Sequence, residues 1–214
     1  MWRFACFLAL ALCWPAVAAA QAGPEPVPPF AVDIRGFLAS PGRDPVTAGE
    51  LGLATSELPG RALGGAATLN LYPFRRTSFA VGLTGEFMLA RARQTPEPDE
   101  VAMTPAGPPI EQRLESLSAG LSLNFGHRHG WSYLSAAMGP MRFGTFVGET
   151  PPAEPAPRKS TINLGGGARW FVNNHLGVTF DLRFYLTRPE LPTPTYPGRQ
   201  RNRLLVLSGG ISIR

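Results

Sequence analysis

Residues 176–187, LGVTFDLRFYLT, constrain this chain more than any other stretch. Leu176, Val178, Phe180, Leu182, Phe184 and Leu186 fall on one face, and Gly177, Thr179, Asp181, Arg183, Tyr185 and Thr187 on the other. Successive side chains of a strand point to opposite sides, so this is one strand with a bulky apolar face and a face carrying opposite charges. A soluble barrel would turn the bulky face inward. Oil outside and a polar interior suit a strand that crosses a membrane.

Seven further segments repeat the pattern. From Phe30, Val32, Ile34 and Leu38 oppose Asp33 and Arg35. Over 61–72, Leu63, Leu69 and Leu71 oppose Thr68 and Asn70. Over 78–92, Phe79, Val81, Leu83, Phe87 and Leu89 oppose Thr84 and Glu86. Leu117 to Phe125 alternate with Ser116, Ser118, Gly120, Ser122 and Asn124. The run 131–147 is less regular, because Pro140 removes a ladder hydrogen bond, and a bulge or bend is expected near Gly139. Ile162, Leu164, Ala168 and Trp170 then oppose Asn163, Gly165, Gly167 and Arg169. Over 202–213, Leu205, Leu207, Ile211 and Ile213 oppose Ser208, Gly210 and Ser212.

Between these runs the connections alternate long and short: 41–60, 93–110, 148–158 and 189–201 are proline-rich loops, whereas 73–77, 126–130 and 173–175 are tight turns. Twenty of the 23 prolines fall in those loops or in the lead 21–29, which leaves the strands free to pair. The expected fold is all-β: an eight-stranded antiparallel up-and-down transmembrane barrel over 30–214, preceded by the proline-rich lead.

The first twenty residues carry one charge, Arg3, then an apolar run and Ala18, Ala19 and Ala20, the pattern of a cleaved signal peptide with cuts after Ala20 or Ala22. Cys6 and Cys13 both lie there, so thiolate metal sites, disulfides and cysteine nucleophiles are not expected in the mature chain. Without Arg3, nineteen basic residues face fifteen acidic ones, a net charge of +4 that is scattered rather than clustered with aromatics. Nucleic acid is therefore not an expected partner.

The eight amphipathic runs, the signal segment and aromatics near strand ends (Tyr72, Phe74, Trp131, Tyr133, Trp170 and Phe171) make the chain similar to the small OmpA-like and OmpX-like outer-membrane barrels. The resemblance implies residence in the Gram-negative outer membrane. It also implies turns and termini on the periplasmic side, long loops outside and contact with outer-membrane lipid and lipopolysaccharide. Insertion by the barrel machinery and a monomeric state follow from it too. Such chains usually end on an aromatic residue, and this one has Ile213 and Arg214.

An eight-stranded barrel is filled by its own side chains. Asp33, Glu86 and Asp181 are expected inside against Arg35, Arg169 and Arg183, with Arg142 a further candidate, as a network of paired charges. His127, His129 and His175 all fall in turns, away from any serine and acid at the loop end, so no catalytic residues, metal or cofactor are expected. Arg188, Arg199, Arg201 and Arg203 around the fourth loop are candidates for contact with lipopolysaccharide phosphates. Three roles remain open: a non-enzymatic structural or surface-interaction barrel with an unidentified extracellular ligand, a transporter of small solutes or ions, and a soluble lipocalin-like binding barrel.

Overall fold

The computed structural model describes residues 25–96, 107–201 and 203–214. The expected signal segment, with its cysteines and cleavage sites, and the middle of the second loop lie outside these residues.

Eight strands form: β1 (Phe30–Ser40), β2 (Ala62–Arg75), β3 (Phe79–Gln94), β4 (Ile110–His127), β5 (Gly130–Val147), β6 (Arg158–Phe171), β7 (Leu176–Thr187) and β8 (Arg203–Ile213). Each pairs antiparallel with the next, and β8 closes onto β1 from Val32 opposite Ile213 to Ser40 opposite Leu205. Closure leaves no edge with unpaired backbone, which a lipid environment would not tolerate. The wall is uneven: β3, β4 and β5 have 16, 18 and 18 residues against 12, 11 and 11 in β7, β8 and β1, so it stands taller at the loop end on the β3–β5 side.

The alternation resolves as the sequence implies. Ile34, Leu83, Leu121, Leu134, Phe180 and Leu207 are each more than half exposed on the outside. An apolar belt running round the strands far exceeds the few hundred Å² of apolar patch on a typical soluble monomer, and it is the surface of a transmembrane barrel.

Inside, the lumen is layered rather than uniformly polar. At the loop end Phe37, Met88, Leu114, Met141, Leu204 and Val206 pack together. At the turn end Val27, Tyr72, Trp131 and Phe171 form a second apolar layer with Ala31 and Ala80. Charged side chains occupy the level between. Glycine makes room for the large rings: a Cβ on Gly64 would lie 2.3 Å from the Phe37 ring, and one on Gly82 would lie 2.7 Å from Tyr72.

Three local expectations change. Residues 41–60 are not all irregular: Pro45–Glu50 forms a helix, α1, with Asp44 as its N-cap accepting from the Val46 N–H at 2.9 Å. Proline is tolerated at the first helical position, so Pro45 starts the helix rather than breaking the chain. The turn read at 73–77 begins later, because β2 runs through Pro73 to Arg75 and absorbs the proline in a register shift between Leu71 and Phe74. No bulge forms at Gly139. Ser116 opposite Met141 and Ala119 opposite Met138 keep one register, and the β6 side pairs without interruption through Pro140 opposite Ser160. The ladder gap is confined to the β4 side, where a Cβ on Gly139 would come 2.0 Å from the Leu117 carbonyl oxygen.

Residues 25–29 of the proline-rich lead close the turn end. Val27 is 1% exposed and fills the apolar layer, a burial that contributes about 1.5–2 kcal/mol. Its carbonyl accepts from Arg75, the Pro29 carbonyl accepts from the Tyr72 N–H at 2.8 Å, and Glu25 pairs with Arg128. Arg214 completes the closure by donating to the carbonyls of Asn174 (2.9 Å), Asn173 and Arg128, with its guanidinium 4.1 Å from the Phe171 ring centre.

Arg128 holds the Glu25 carboxyl below the usual carboxylate range. A lowered value means the latch is complete at neutral pH and is lost as pH falls through that value. Glu25→Gln at pH 7 is therefore expected to raise acrylamide quenching of Trp131, behind Val27, and acid is expected to bring the wild type to the same level. Equal quenching of variant and wild type at pH 7 would remove the latch from the account.

Candidate functional site: the luminal charge belt

The middle layer of the lumen is built by inward positions of β1, β3, β6 and β7. Asp33 and Arg35 come from β1, Glu86 from β3, Arg169 from β6, and Asp181 and Arg183 from β7. All six are less than 5% exposed. Small residues lie opposite them on neighbouring strands: Gly210 faces Arg35, Gly165 faces Arg183 and Gly167 faces Asp181. A Cβ on Gly165 would stand 2.9 Å from Arg183 Cγ, so the missing atom leaves room for the stem of that side chain.

Two clusters result. Towards the turn end, Arg169 grips Asp33 with a two-pronged fork, Nε to Oδ1 at 2.9 Å and Nη2 to Oδ2 at 2.6 Å, while Asn70 donates to the same carboxylate at 3.3 Å. Towards the loop end, Arg35 bridges Glu86 at 2.5 Å and Asp181 at 3.0 Å. Arg183 reaches Asp181 at 3.0 Å and Asn163 at 2.9 Å. Tyr185 donates to Glu86, and Thr68 donates to it at 3.3 Å. Tyr133 joins the clusters: its ring lies 4.1 Å from the Arg169 guanidinium, and its hydroxyl donates to Asp181 at 2.8 Å.

The belt holds three cations and three anions, so it carries no net charge. Each of its six carboxylate oxygens receives at least one donor. This is the condition under which buried ions are tolerated, and it leaves the carboxylates with little capacity to bind a passing ion. Tyr72, Tyr133 and Tyr185 are as much a part of the belt as the charges. Their inward phase was visible in the alternation, although Tyr72 and Tyr133 read as interfacial aromatics.

The remaining candidates separate. Arg142 is not in the lumen. With the register unbroken at Pro140 it falls on the outer face, 3.3 Å from Glu115. Arg188, Arg201 and Arg203 are exposed at the loop end, but Arg199 is not a surface group: it is 6% exposed, with its guanidinium 3.1 Å from the centre of the Phe143 ring. Burial pushes its pKa down to about 10. The backbone of Arg199 is tied to Glu190 by two 2.8 Å hydrogen bonds, which fold the fourth loop back over its side chain. His127, His129 and His175 are exposed at the turn end. No group of three or more potential metal ligands occurs among the described residues.

No protein-family model matches the chain, and no curated protein matches it. Among solved structures it is similar to Neisserial surface protein A, with 14% identity over 87% of this chain and 97% of that one and a TM-score of 0.48. It is also similar to Ail, the attachment invasion locus protein of Yersinia pestis, with 14% identity, coverage of 86% and 98%, and a TM-score of 0.40. The outer membrane protein OprG of Pseudomonas aeruginosa gives 9% identity, coverage of 90% and 98%, and a TM-score of 0.43. The eight-stranded barrel itself rests on the strand pairing, unbroken from β1–β2 round to β8–β1.

Proposed function

We propose that this protein is a sealed outer-membrane barrel with a structural or surface-interaction role, its turn end in the periplasm and its loops outside. The observation that carries this reading is the lumen: two apolar layers enclose a neutral belt whose carboxylate oxygens are all engaged. Such an interior resists both water and ions. The exposed apolar belt supports membrane residence over the lipocalin-like alternative, which would need those leucines inside.

One set of samples tests placement and sealing together. Leu191 in the fourth loop and Val172 in a turn are both 83% exposed. With cysteine at either position, a membrane-impermeant maleimide is expected to label 191 and not 172 in intact cells, and both once the outer membrane is opened. The same protein in planar bilayers is expected to pass no discrete current steps. Steady conductance would favour the transporter reading, and silence at both sites in intact cells with release by carbonate would favour a soluble periplasmic barrel.

A further inference from the structure

The tall side of the wall, over β3–β5, carries a groove on its outer face. Its rows follow from the register: Leu63, Arg91, Arg113 and Gly144 lie side by side across β2 to β5, and Leu89, Glu115 and Arg142 form the row nearer the turn end. Loops three and four do not simply extend outward here. Thr195 and Tyr196 hydrogen-bond to Glu154 at 2.8 Å each, and a Cβ on Gly144 would meet the Tyr196 ring at 2.8 Å and Ala156 at 3.2 Å. The loops thus overhang the outside of β5, and Pro151, Pro152 and Ala153 line a cavity of about 560 Å³ against the wall. That volume lies within the range of small-ligand sites, about 300–1,000 Å³.

The groove's chemistry is split along its length. Its apolar floor is Leu63, in the same row as Arg91 and Arg113, and Leu89, one row nearer the belt, 67% and 49% exposed and continuous with the membrane-facing surface. On the loop side, Arg91 and Arg113 share a single carboxylate, Glu111, whose side chain is 1% exposed, while the two guanidinium side chains remain about half exposed. Two cations share one anion, and both guanidinium groups line the cavity with part of their surface free. One row below, Arg142 is paired with Glu115 at 3.3 Å, so three guanidinium groups meet two carboxylates and the groove keeps a surplus of one positive charge. Guanidinium groups hold phosphate through paired, charge-assisted hydrogen bonds, and basic pockets at headgroup level bind anionic lipid headgroups.

We propose that this groove binds one phosphorylated lipid of the leaflet at the loop end, its phosphate on Arg91, Arg113 and Arg142 and its first acyl segment along Leu63 and Leu89. The inference rests on the outer-membrane reading above, which makes that lipid a phosphorylated, multiply acylated glycolipid. A soluble anion would satisfy the arginines but leave the leucine floor uncovered. This site uses none of the fourth-loop arginines: Arg199 lies against the Phe143 ring of β5, whereas the groove's cations come from β3, β4 and β5.

The test uses the whole mature barrel in mild detergent, with retained lipid counted by native mass spectrometry and folding checked by heat-dependent gel mobility. Bis-phosphorylated lipid A is expected to be retained at one per barrel, and its dephosphorylated form at least about tenfold less, as the loss of a charge-assisted hydrogen bond implies. Arg142→Gln, which leaves Glu111 and its partners intact, is expected to weaken retention several-fold. Ala153→Trp, which fills the groove without altering charge, is expected to abolish it while mobility stays that of the folded barrel. Equal retention of both lipid forms, indifference to both variants, or displacement by millimolar inorganic phosphate would overturn the proposal. Failure of the barrel to enter bilayers at all would instead overturn the outer-membrane reading.

Discussion

Replacing Arg169 by methionine is expected to cost about 3–5 kcal/mol of stability, because it leaves the Asp33 carboxylate buried with only Asn70 as a side-chain donor. The fork that Arg169 makes engages both oxygens of Asp33 at once, and Asp33 has no second arginine in contact to take its place, whereas Asp181 is reached by both Arg35 and Arg183. Its loss also removes the cation stacked on Tyr133, so the two clusters lose their bridge. Urea unfolding of the detergent-solubilised barrel, followed by Trp131 fluorescence, measures the effect. The double variant Asp33→Leu with Arg169→Met should recover most of the loss, since apolar groups of similar volume replace buried ion pairs at little net cost. A single variant as stable as the wild type would show that the belt is hydrated rather than dry.

Leu121→Arg is the second large expectation. Leu121 is 59% exposed at the middle of the β4 apolar run, with Leu83 beside it on β3. A cation there would face hydrocarbon, at about 2–4 kcal/mol near the bilayer midplane. Reconstitution into bilayers followed by denaturant titration should show that loss, whereas Leu191→Arg in the fourth loop should show none. A Leu121→Arg barrel of unchanged stability in bilayers would remove the assignment of that face to lipid.

Strand identity and facing were legible because eight segments repeat one period, and β7 occupies the twelve residues from which it was read. What each face meets was not legible in the same way. Phe37, Met88 and Met141 share the inward phase with the charges, and alternation gives their direction but not the apolar layers they build with residues from other strands. Arg142 illustrates a narrower failure. A proline at 140 suggests a shift of phase that would bring Arg142 inside, yet the neighbouring pairs hold the register and unbroken alternation puts it outside. For Arg199 and Val27 no periodic signal exists. Arg199 is buried by the backbone pairing of Glu190, and Val27 by a lead whose prolines exclude it from the sheet without saying where it goes.

Closure of the barrel also fixes an order in time. The pairing of Val32 with Ile213 and of Leu38 with Leu207 joins the first strand to the last, across nearly the whole described sequence. No shorter stretch of chain can complete the cylinder, because until β8 arrives both β1 and β7 present a bare edge. Such high sequence separation makes folding slow and the unfinished intermediate adhesive. Until its eleven-residue β8 is in place the sheet keeps two open edges, so closure, rather than the formation of any single hairpin, is the step that completes the barrel.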